Sequence, residues 1–307
     1  MRGAPGKREG REQRGGRVAR AWPWALRVAW AAIPLAAGPR LAAALDPRSP
    51  AMRSVASIGL WAGWTIVLLA TLIPHPLGLT AVRIGVPAGA VAVSAALVSH
   101  PGPAWGALVA LITTASATGL AFSAPIGMAF VNGPAYPNER RFPLSPPGAL
   151  LLGPLPVAWC LAVGGPAATV LLLAARLWVA GAVAGVLGLP AAAVMARSLH
   201  GLSRRWVVFV PAGLVLHDPL SVADPVLFRR QLMVSLRPAP AECDALDLTQ
   251  AAPGLALELV LKESVAMVLV RPGRRGDQAG AWDRLLFTPS RPGVVLAEAL
   301  ARRFPVS

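Results

Sequence analysis

Four histidines and two cysteines are the first side chains to test for chemistry. His217 is followed directly by Asp218, and a His–Asp pair can act as a general base beside a nucleophile. No nucleophile motif accompanies this pair, and an aspartate before Pro219 is ordinary turn chemistry. The remaining candidates are dispersed and lack metal-ligand spacing: His75, His100, His200, Cys160 and Cys243. We therefore predict no catalytic residue, no metal site and no cofactor.

Motifs of the common enzyme classes are missing from the sequence. The chain contains no G-x-S-x-G, no H-E-x-x-H, no glycine-rich Walker loop and no dinucleotide fingerprint. Proton-coupled pumps and many cation transporters keep carboxylates inside the membrane, and none lies in a clear apolar stretch here. A lipid-modifying membrane enzyme needs clustered ionisable groups, and only the segment "NERR" around Glu139 offers them.

Arginines are the remaining candidates for binding. Arg83 stands alone near one end of an apolar stretch, where it can snorkel to the interface or bind an anion. Arg204 and Arg205 follow the last apolar stretch, where they can stop a span or contact headgroups. Arg229 and Arg230 lie in a predicted strand. We predict these five arginines as contacts to membrane headgroups or to a partner.

Composition places these residues in a membrane protein. Hydrophobic residues make up 55% of the chain and charged residues 14%, whereas soluble domains carry about 25% charged residues. Glu139 is the single carboxylate between Pro47 and Leu216, and the last 90 residues hold ten of the fourteen acids. This asymmetry predicts a transmembrane helical bundle over residues 21–197 and a soluble domain over residues 198–307.

Apolar stretches of about 20 residues mark the spans. The segment Trp22–Leu45 is doubtful, because Arg27, Pro34 and Arg40 weaken it. It resembles a signal peptide whose apolar core Arg27 interrupts, and it can span, re-enter or lie as an amphipathic helix in the interface. Arg176 separates the last two of the five clear spans, which are 54–73, 79–98, 104–123, 151–174 and 178–196.

Basic residues predict the orientation. The net charge is +15, and seven basic residues fall within positions 1–20, which favours a disordered cytoplasmic tail over nucleic-acid binding. Cytoplasmic loops are enriched in Lys and Arg. Six spans place all three basic segments in the cytoplasm: the tail, the loop "NERRFP" and the triplet Arg197, Arg204 and Arg205. Five spans leave only the tail there and place the loop and the triplet outside. We therefore predict six crossings of the plasma membrane, with both termini in the cytoplasm.

Small and helix-breaking residues lie within the spans. Glycines four residues apart let helices approach closely in lipid, and they predict a compact bundle that can form a homo-oligomer. Pro87 and the run Gly164-Gly165-Pro166 interrupt their spans, either as kinks satisfied by packing or as broken helices that line a transport site. The glycine pairs are Gly59/Gly63, Gly85/Gly89 and Gly181/Gly185.

From Trp206 onward the pattern predicts antiparallel strands. Trp206–Val210 and Leu214–His217 form a hairpin around Pro211-Ala212-Gly213. Residues 226–238 and 254–263 alternate apolar and polar side chains, with Leu255, Leu257, Leu259 and Leu261 on one face. The segment "VAMVLVRPG" continues the β pattern and is followed by a predicted loop over 274–281. The segment "DRLLFTP" is the last predicted strand. A helix is predicted over 291–304, because Pro292 is suited to an early helical position.

This order of elements resembles a pleckstrin-homology-like domain over about residues 198–304. The segments "RRWVVFVPAGLVLHD" and "LLFTPSRPGVVLAEALARR" resemble the start and end of bacterial forms of that domain. The whole chain resembles polytopic membrane proteins of high-GC Gram-positive bacteria, and this likeness implies architecture without an activity. The first strand turn, Pro211-Ala212-Gly213, lacks the cations that bind phosphate in lipid-binding members, so inositol-phosphate recognition is not expected.

The function predicted from these features is non-enzymatic. We expect a membrane-anchored binding or scaffold protein that presents the β domain at the cytoplasmic face to a protein or lipid partner. Two alternatives stay open: a small transporter or channel-like subunit that uses the broken helices, and a membrane-bound lipid-modifying enzyme.

Overall fold

A computed structural model of the chain describes residues 21–270 and 278–307. The predicted tail, residues 1–20, and the 274–277 part of the predicted loop lie outside the described residues. The chain forms two compact units. The helical unit comprises the residues up to Gly133 together with Val163–Ala191, and the β unit comprises Pro134–Ala162 together with Ala192–Ser307.

Eight helical segments precede the C-terminal strands in the described chain. They are α1 (Ala21–Leu45), α2 (Pro50–Leu72), α3 (Pro76–Ser99), α4 (Ala104–Phe122), α5 (Ala124–Asn132), α6 (Gly148–Leu151), α7 (Pro154–Ala174) and α8 (Trp178–Leu202). All but α5 and α6 are long and apolar enough to cross a membrane. The doubtful segment Trp22–Leu45 lies within α1, so the prediction of six candidate spans is confirmed. The chain is a multi-pass integral membrane protein in contact with the lipid bilayer.

Helix ends satisfy the two arginines that weaken α1 as a span. Arg27 donates from Nε and Nη2 to the carbonyl oxygen of Thr71, at 3.0 and 2.9 Å. Thr71 lies in the last turn of α2, where carbonyl groups lack helical partners and the helix dipole is negative. Arg40 donates from Nη2 to the carbonyl oxygen of Pro103, at 2.8 Å, directly before α4. Backbone oxygen atoms thus solvate both guanidinium groups.

A pair of tryptophans compensates for the proline inside α1. Pro34 has no N–H to donate to the carbonyl of Trp30, four residues earlier. The indole Nε1 of Trp64 donates to that carbonyl at 3.1 Å, and the indole of Trp30 donates to the carbonyl of Trp64 at 2.9 Å. The two hydrogen bonds join α1 to α2 at the proline.

Glycine pairs differ in what they face. A Cβ on Gly85 or Gly89 would press against side chains of α2 or α1, and one on Gly181 or Gly185 would press against α7. Close packing at these two pairs is therefore confirmed. The third pair, Gly59 and Gly63 on α2, has no described atom within 4 Å of an added Cβ.

The two predicted interruptions do not break their helices, which disfavours the broken-helix alternative. Pro87 and Pro166 lie inside the continuous helices α3 and α7, so neither helix is broken there. The irregularity lies in α8, where Ala184–Gly188 is π-helical. At that point the backbones of Gly165 and Gly188 approach so closely that a Cβ on Gly165 would lie 2.5 Å from the Gly188 carbonyl oxygen. Arg176 forms the predicted turn between α7 and α8, with a φ of 61°.

The first sheet of the β unit has four antiparallel strands in the order β1-β2-β3-β4. They are β1 (Arg140–Pro143), β2 (Trp206–Val210), β3 (Gly213–His217) and β4 (Val226–Arg229). The predicted hairpin is confirmed as β2 and β3. Gly213 lies so close to the Phe228 carbonyl that a Cβ would overlap it. Phe142, Phe209 and Phe228 form the buried face of this sheet.

The second sheet has the order β5-β7-β8-β6. A 3-10 turn, Arg230–Leu232, leads into β5 (Met233–Pro238), followed by β6 (Leu246–Asp247), β7 (Leu257–Leu269) and β8 (Gln278–Phe287). The predicted leucine face is buried at Leu257, Leu259 and Leu261, whereas Leu255 precedes the strand and is 50% exposed, so its assignment to that face is wrong. The final helix, α9 (Pro292–Ala301), buries Val295 and Ala299, within the predicted range 291–304.

Two predicted boundaries are wrong. Residues 278–281, expected in a loop, belong to β8 because they pair with residues 266–269 of β7. The β unit does not begin at residue 198, since β1 comes from the loop between α5 and α6 and pairs with β2 from Arg140↔Phe209 to Pro143↔Trp206. Local alternation cannot reveal a strand of four residues whose partner is synthesised three helices later.

Candidate functional site

A buried ion pair lies at the start of β2. Arg205 and Asp218 form a two-pronged contact, with Nε to Oδ1 at 2.7 Å and Nη2 to Oδ2 at 2.8 Å. Their side chains are 2% and 0% exposed. Arg205 also donates from Nη1 to the carbonyl oxygen of Ser145, at 2.9 Å. A planar guanidinium matches a carboxylate in this way, and the arrangement is the strongest polar contact that a protein interior offers.

Asp218 organises the turn that follows β3. Its Oδ1 accepts the backbone N–H of Leu220 at 3.1 Å, and its Oδ2 accepts the hydroxyl of Ser221 at 2.8 Å. Gln250 then donates from Nε2 to Ser221 Oγ and to the Leu220 carbonyl, each at 2.8 Å. We call Ser145, Arg205, Asp218, Ser221 and Gln250 the polar network.

The polar network joins four separate stretches of the β unit. Ser145 follows β1, and its backbone N–H donates to the carbonyl of Thr288 after β8, at 2.8 Å. Gln250 has a φ of 53° and accepts the N–H of Gly148 at 3.3 Å. Removing one member of a buried ion pair leaves an unpaired charge, which is strongly destabilising. The network therefore fixes the loop before α6 to the C-terminal strands.

The predicted His–Asp pair is not assembled for base catalysis. His217 packs on the Trp206 ring with ring centroids 4.9 Å apart, whereas the hydrogen bonds of the Asp218 carboxylate go to Arg205, Leu220 and Ser221. Burial and the charge of Arg204 lower the pKa of His217, and Asp218 opposes that shift. His217 is thus favoured in its neutral form beside a tryptophan.

The five predicted arginines lie in different environments. Arg205 is buried in the polar network, so its prediction as a headgroup contact is wrong. Arg204 is exposed beside it. Arg229 and Arg230 are both exposed at the end of β4, and Arg230 donates from Nη2 to the carbonyl of Arg303 at 2.6 Å. The sequence could not distinguish the roles of Arg204 and Arg205, because the Asp218 carboxylate reaches Arg205 only in the folded chain.

Arg83, the fifth predicted arginine, lies on α3 of the helical unit. Its guanidinium carbon is 6.0 Å from the centroid of the Phe122 ring. Its buried Nε has no hydrogen-bond partner among the described residues. A surface cavity of about 430 Å³ at the start of α2 is lined by Pro50, Arg53 and Ser57 among others, and Arg83 does not line it.

The segment "NERRFP" is held by the end of α9. Arg302 donates from Nη1 to the carbonyl of Asn138 at 2.8 Å, and its Nε contacts Glu298 at 2.7 Å. Glu139 pairs with Arg141 at 3.1 Å. Glu139 and Arg141 are thus engaged with each other, whereas Arg140, the first residue of β1, is exposed.

Sequence reasoning missed a second buried carboxylate. Glu258 was expected on the solvent side of its strand, and its side chain is 0% exposed. It pairs with Arg237 Nε at 2.7 Å, and its Oε1 has no partner in the described part of the chain. Arg237 stands directly opposite Glu258 in the β5–β7 register, so only knowledge of that register reveals the pair.

Metal and family relationships complete the description. No group of three or more histidine, cysteine, aspartate or glutamate side chains within residues 21–270 and 278–307 is placed to hold a metal ion. Comparisons with family models, with curated proteins and with solved structures returned no match. The site is therefore interpreted from its own geometry.

Proposed function

We propose that this chain is a non-enzymatic, membrane-anchored binding or scaffold protein. Its β unit, a pleckstrin-homology-like domain, is presented to a partner at the cytoplasmic face of the plasma membrane. The pairing of β1 with β2 carries the proposal, because it requires the chain before α7 and the chain after α8 to lie on the same side of a membrane.

The strand pairing constrains membrane topology. β1 precedes α7 and β2 follows α8, and paired strands must lie on the same side of a membrane. Both helices therefore cross, or neither does. The length and apolar composition of α7 and α8 favour crossing. The positive-inside tendency puts the arginines of that side, Arg140, Arg141, Arg197 and Arg204, in the cytoplasm.

The ionisable groups of the β unit support binding over catalysis. Its most buried charges, Arg205, Asp218 and Glu258, are engaged in ion pairs that hold loops and strands together. Two four-stranded sheets followed by α9 support the pleckstrin-homology-like interpretation. A rigid sheet with exposed edges is suited to capturing a partner segment.

Labelling of Cys243 in intact cells tests the sidedness. Cys243 is half-buried in the β unit, and Cys160 lies on the apolar helix α7. A Cys160→Ala variant leaves Cys243 as the reporter for a membrane-impermeant maleimide, and a Cys160→Ala/Cys243→Ala variant measures background. Labelling only after lysis, with denatured protein as the maximum, is the expected result. Labelling of intact cells contradicts a cytoplasmic β unit.

Copurification tests the scaffold role independently of sidedness. Crosslinking in cells followed by mild detergent extraction should recover a stable partner that requires the β unit. A chain that purifies without any partner from cells grown under several conditions contradicts this role.

Transport is a second candidate, and Arg83 favours it. An arginine within an apolar helix whose buried Nε lacks a partner among the described residues can attract an anion. Uptake of an anion into proteoliposomes that Arg83→Gln abolishes and Arg40→Gln leaves intact is the result expected of a transporter. Equal uptake by protein-free liposomes excludes this candidate for the anion tested.

A further inference from the structure

The outer edge of β4 has no paired strand among the described residues, whereas β5 and β1 are partly covered and β6 is short. β5 is covered by the C-terminal residues, because Leu236 N–H donates to the Pro305 carbonyl at 2.8 Å. β6 has only two residues. The end of β1 is closed by Ser290, whose N–H donates to the Pro143 carbonyl at 2.9 Å.

Alternation along β4 shows which backbone groups face outward. Arg230 N–H donates to the Ala212 carbonyl at 2.9 Å, and Phe228 stands opposite Leu214 with its carbonyl beside Gly213. In an antiparallel pair, neighbouring residues direct their N–H and C=O groups alternately toward and away from the partner strand. Leu227 and Arg229 therefore direct their backbone groups away from β3, and no partner for them is found in the described chain.

Side chains give this edge a definite chemistry. Leu227 is 40% exposed, and Arg229 and Arg230 are exposed directly after it. Arg230 is held in place by its hydrogen bond to the Arg303 carbonyl and by the Phe304 ring, 5.0 Å from its guanidinium carbon. Neither arginine forms an ion pair within the described residues. The edge thus offers backbone groups, an apolar contact and two adjacent cations.

We propose that β4 binds an extended acidic segment of a partner protein by strand addition. This inference rests on the proposed binding function and names the partner chemistry. An antiparallel segment with two carboxylates followed by two apolar residues sets the carboxylates beside Arg230 and Arg229 and the second apolar residue beside the exposed Leu227. Main-chain hydrogen bonds supply affinity, and these side-chain contacts supply specificity.

Binding of a defined peptide to the full-length protein tests the proposal. The probe is a fluorescent peptide, Ser-Thr-Glu-Glu-Val-Val-Thr-Ser, measured by anisotropy against protein in nanodiscs of zwitterionic lipid. A matched peptide carries lysine in place of both glutamates. The acidic peptide should bind saturably, and the lysine peptide should bind at least tenfold more weakly, by about 1.4 kcal/mol.

Two variants separate strand addition from general charge attraction. Leu227→Pro removes an outward N–H and leaves the β3 ladder intact, because proline is tolerated on the solvent side of an edge strand. It should weaken acidic-peptide binding at least tenfold, as should Arg229→Glu. Arg284→Glu, at an exposed arginine of β8, should leave binding unchanged. An unchanged thermal unfolding midpoint for each variant verifies folding.

Distinct outcomes overturn distinct claims. Equal loss in Arg284→Glu and no loss in Leu227→Pro would mean charge attraction alone, and the β4 inference falls. The β4 inference also falls if the acidic peptide does not bind the wild-type protein. In that case the proposed function still stands if Cys243 is labelled only after lysis and a partner is recovered by copurification. An externally labelled Cys243 overturns the cytoplasmic role without affecting peptide binding.

Discussion

The two arginines of α1 and the ion-paired arginines of the β unit have different hydrogen-bond acceptors. In the helical unit, Arg27 and Arg40 donate to backbone carbonyl groups at helix ends. In the β unit, Arg205 and Arg237 pair with buried carboxylates. The first solution uses oxygen atoms that carry no net charge, and the second requires a counter-ion.

Backbone geometry explains the contrast. A helix leaves its last four carbonyl groups without intrahelical donors, so the Thr71 carbonyl in the last turn of α2 can accept from Arg27. The Pro103 carbonyl, at the start of α4, accepts from Arg40 as well as from the amides of Gly106 and Ala107. Sheet interiors use most carbonyl groups in ladders, so Arg205 finds one carbonyl, that of Ser145 in a loop, and takes its other acceptors from the Asp218 carboxylate. A carboxylate within an apolar span is costly, which accounts for acids concentrated in the last 90 residues.

The largest effect is expected from Asp218→Ala. The variant leaves Arg205 buried without its carboxylate, and breaking a buried pair costs about 3 to 5 kcal/mol. We expect a large fall in the thermal unfolding midpoint of the β unit in detergent. The double variant Arg205→Met/Asp218→Leu should recover most of the loss, since apolar replacement of a buried pair is often neutral. A double variant as unstable as the single one contradicts the assignment of the loss to the unpaired charge.

Arg27→Met should have an intermediate effect. It removes hydrogen bonds from a charged donor to the Thr71 carbonyl, which contribute about 2 kcal/mol, and leaves no buried counter-ion behind. Unfolding in mixed micelles measures the loss, and Arg27→Lys should retain part of the stability. A loss as large as that of Asp218→Ala would erase the difference between the two units.

A smaller effect is expected from Trp64→Phe, which removes the donor to the Trp30 carbonyl. The loss should be about 1 kcal/mol, the usual net contribution of one hydrogen bond. In a Pro34→Ala background the helix supplies its own N–H to that carbonyl, so the same substitution should cost much less. The double-mutant cycle gives the coupling energy, and a coupling of zero would show that Trp64 does not compensate for Pro34.

The smallest effect concerns pH. The pKa of His217 is lowered below its usual 6.5 in the folded protein by burial and by Arg204. Protonation therefore favours unfolding: the contribution of His217 is full above about pH 6.5 and is lost as the pH falls through the folded pKa. His217→Gln should flatten the stability profile of the β unit in that window. An unchanged slope would assign the pH dependence to other groups.

The parts of the fold that depend on local pattern were predictable. Spans follow from runs of apolar residues, the turn at Arg176 from a charge within such a run, and the β2–β3 hairpin from alternation around Gly213. The leucine face of β7 followed from the same alternation. Each of these features is encoded within about 20 residues, the length over which hydrophobic periodicity acts.

Features that depend on distant residues were not predictable. β1 needs β2, and the burial of Glu258 needs Arg237 in register across two strands. Arg205 differs from Arg204 only because Asp218 and Ser145 meet it in space. The irregular turn in α8 needs the close approach of Gly165 and Gly188. The candidate site is built from such contacts, so the sequence identified its arginines without their roles.

The strand β1 has a consequence for biogenesis. It leaves the ribosome before α7 and α8 are made, and its partner β2 follows both. The first sheet can therefore be completed only after α7 and α8 have been synthesised. A chain that stalls or inserts with the wrong orientation keeps an unpaired strand in the loop before α6, where proteolytic surveillance can recognise it. Completion of the first sheet thus depends on correct placement of the α7–α8 segment between its two strands.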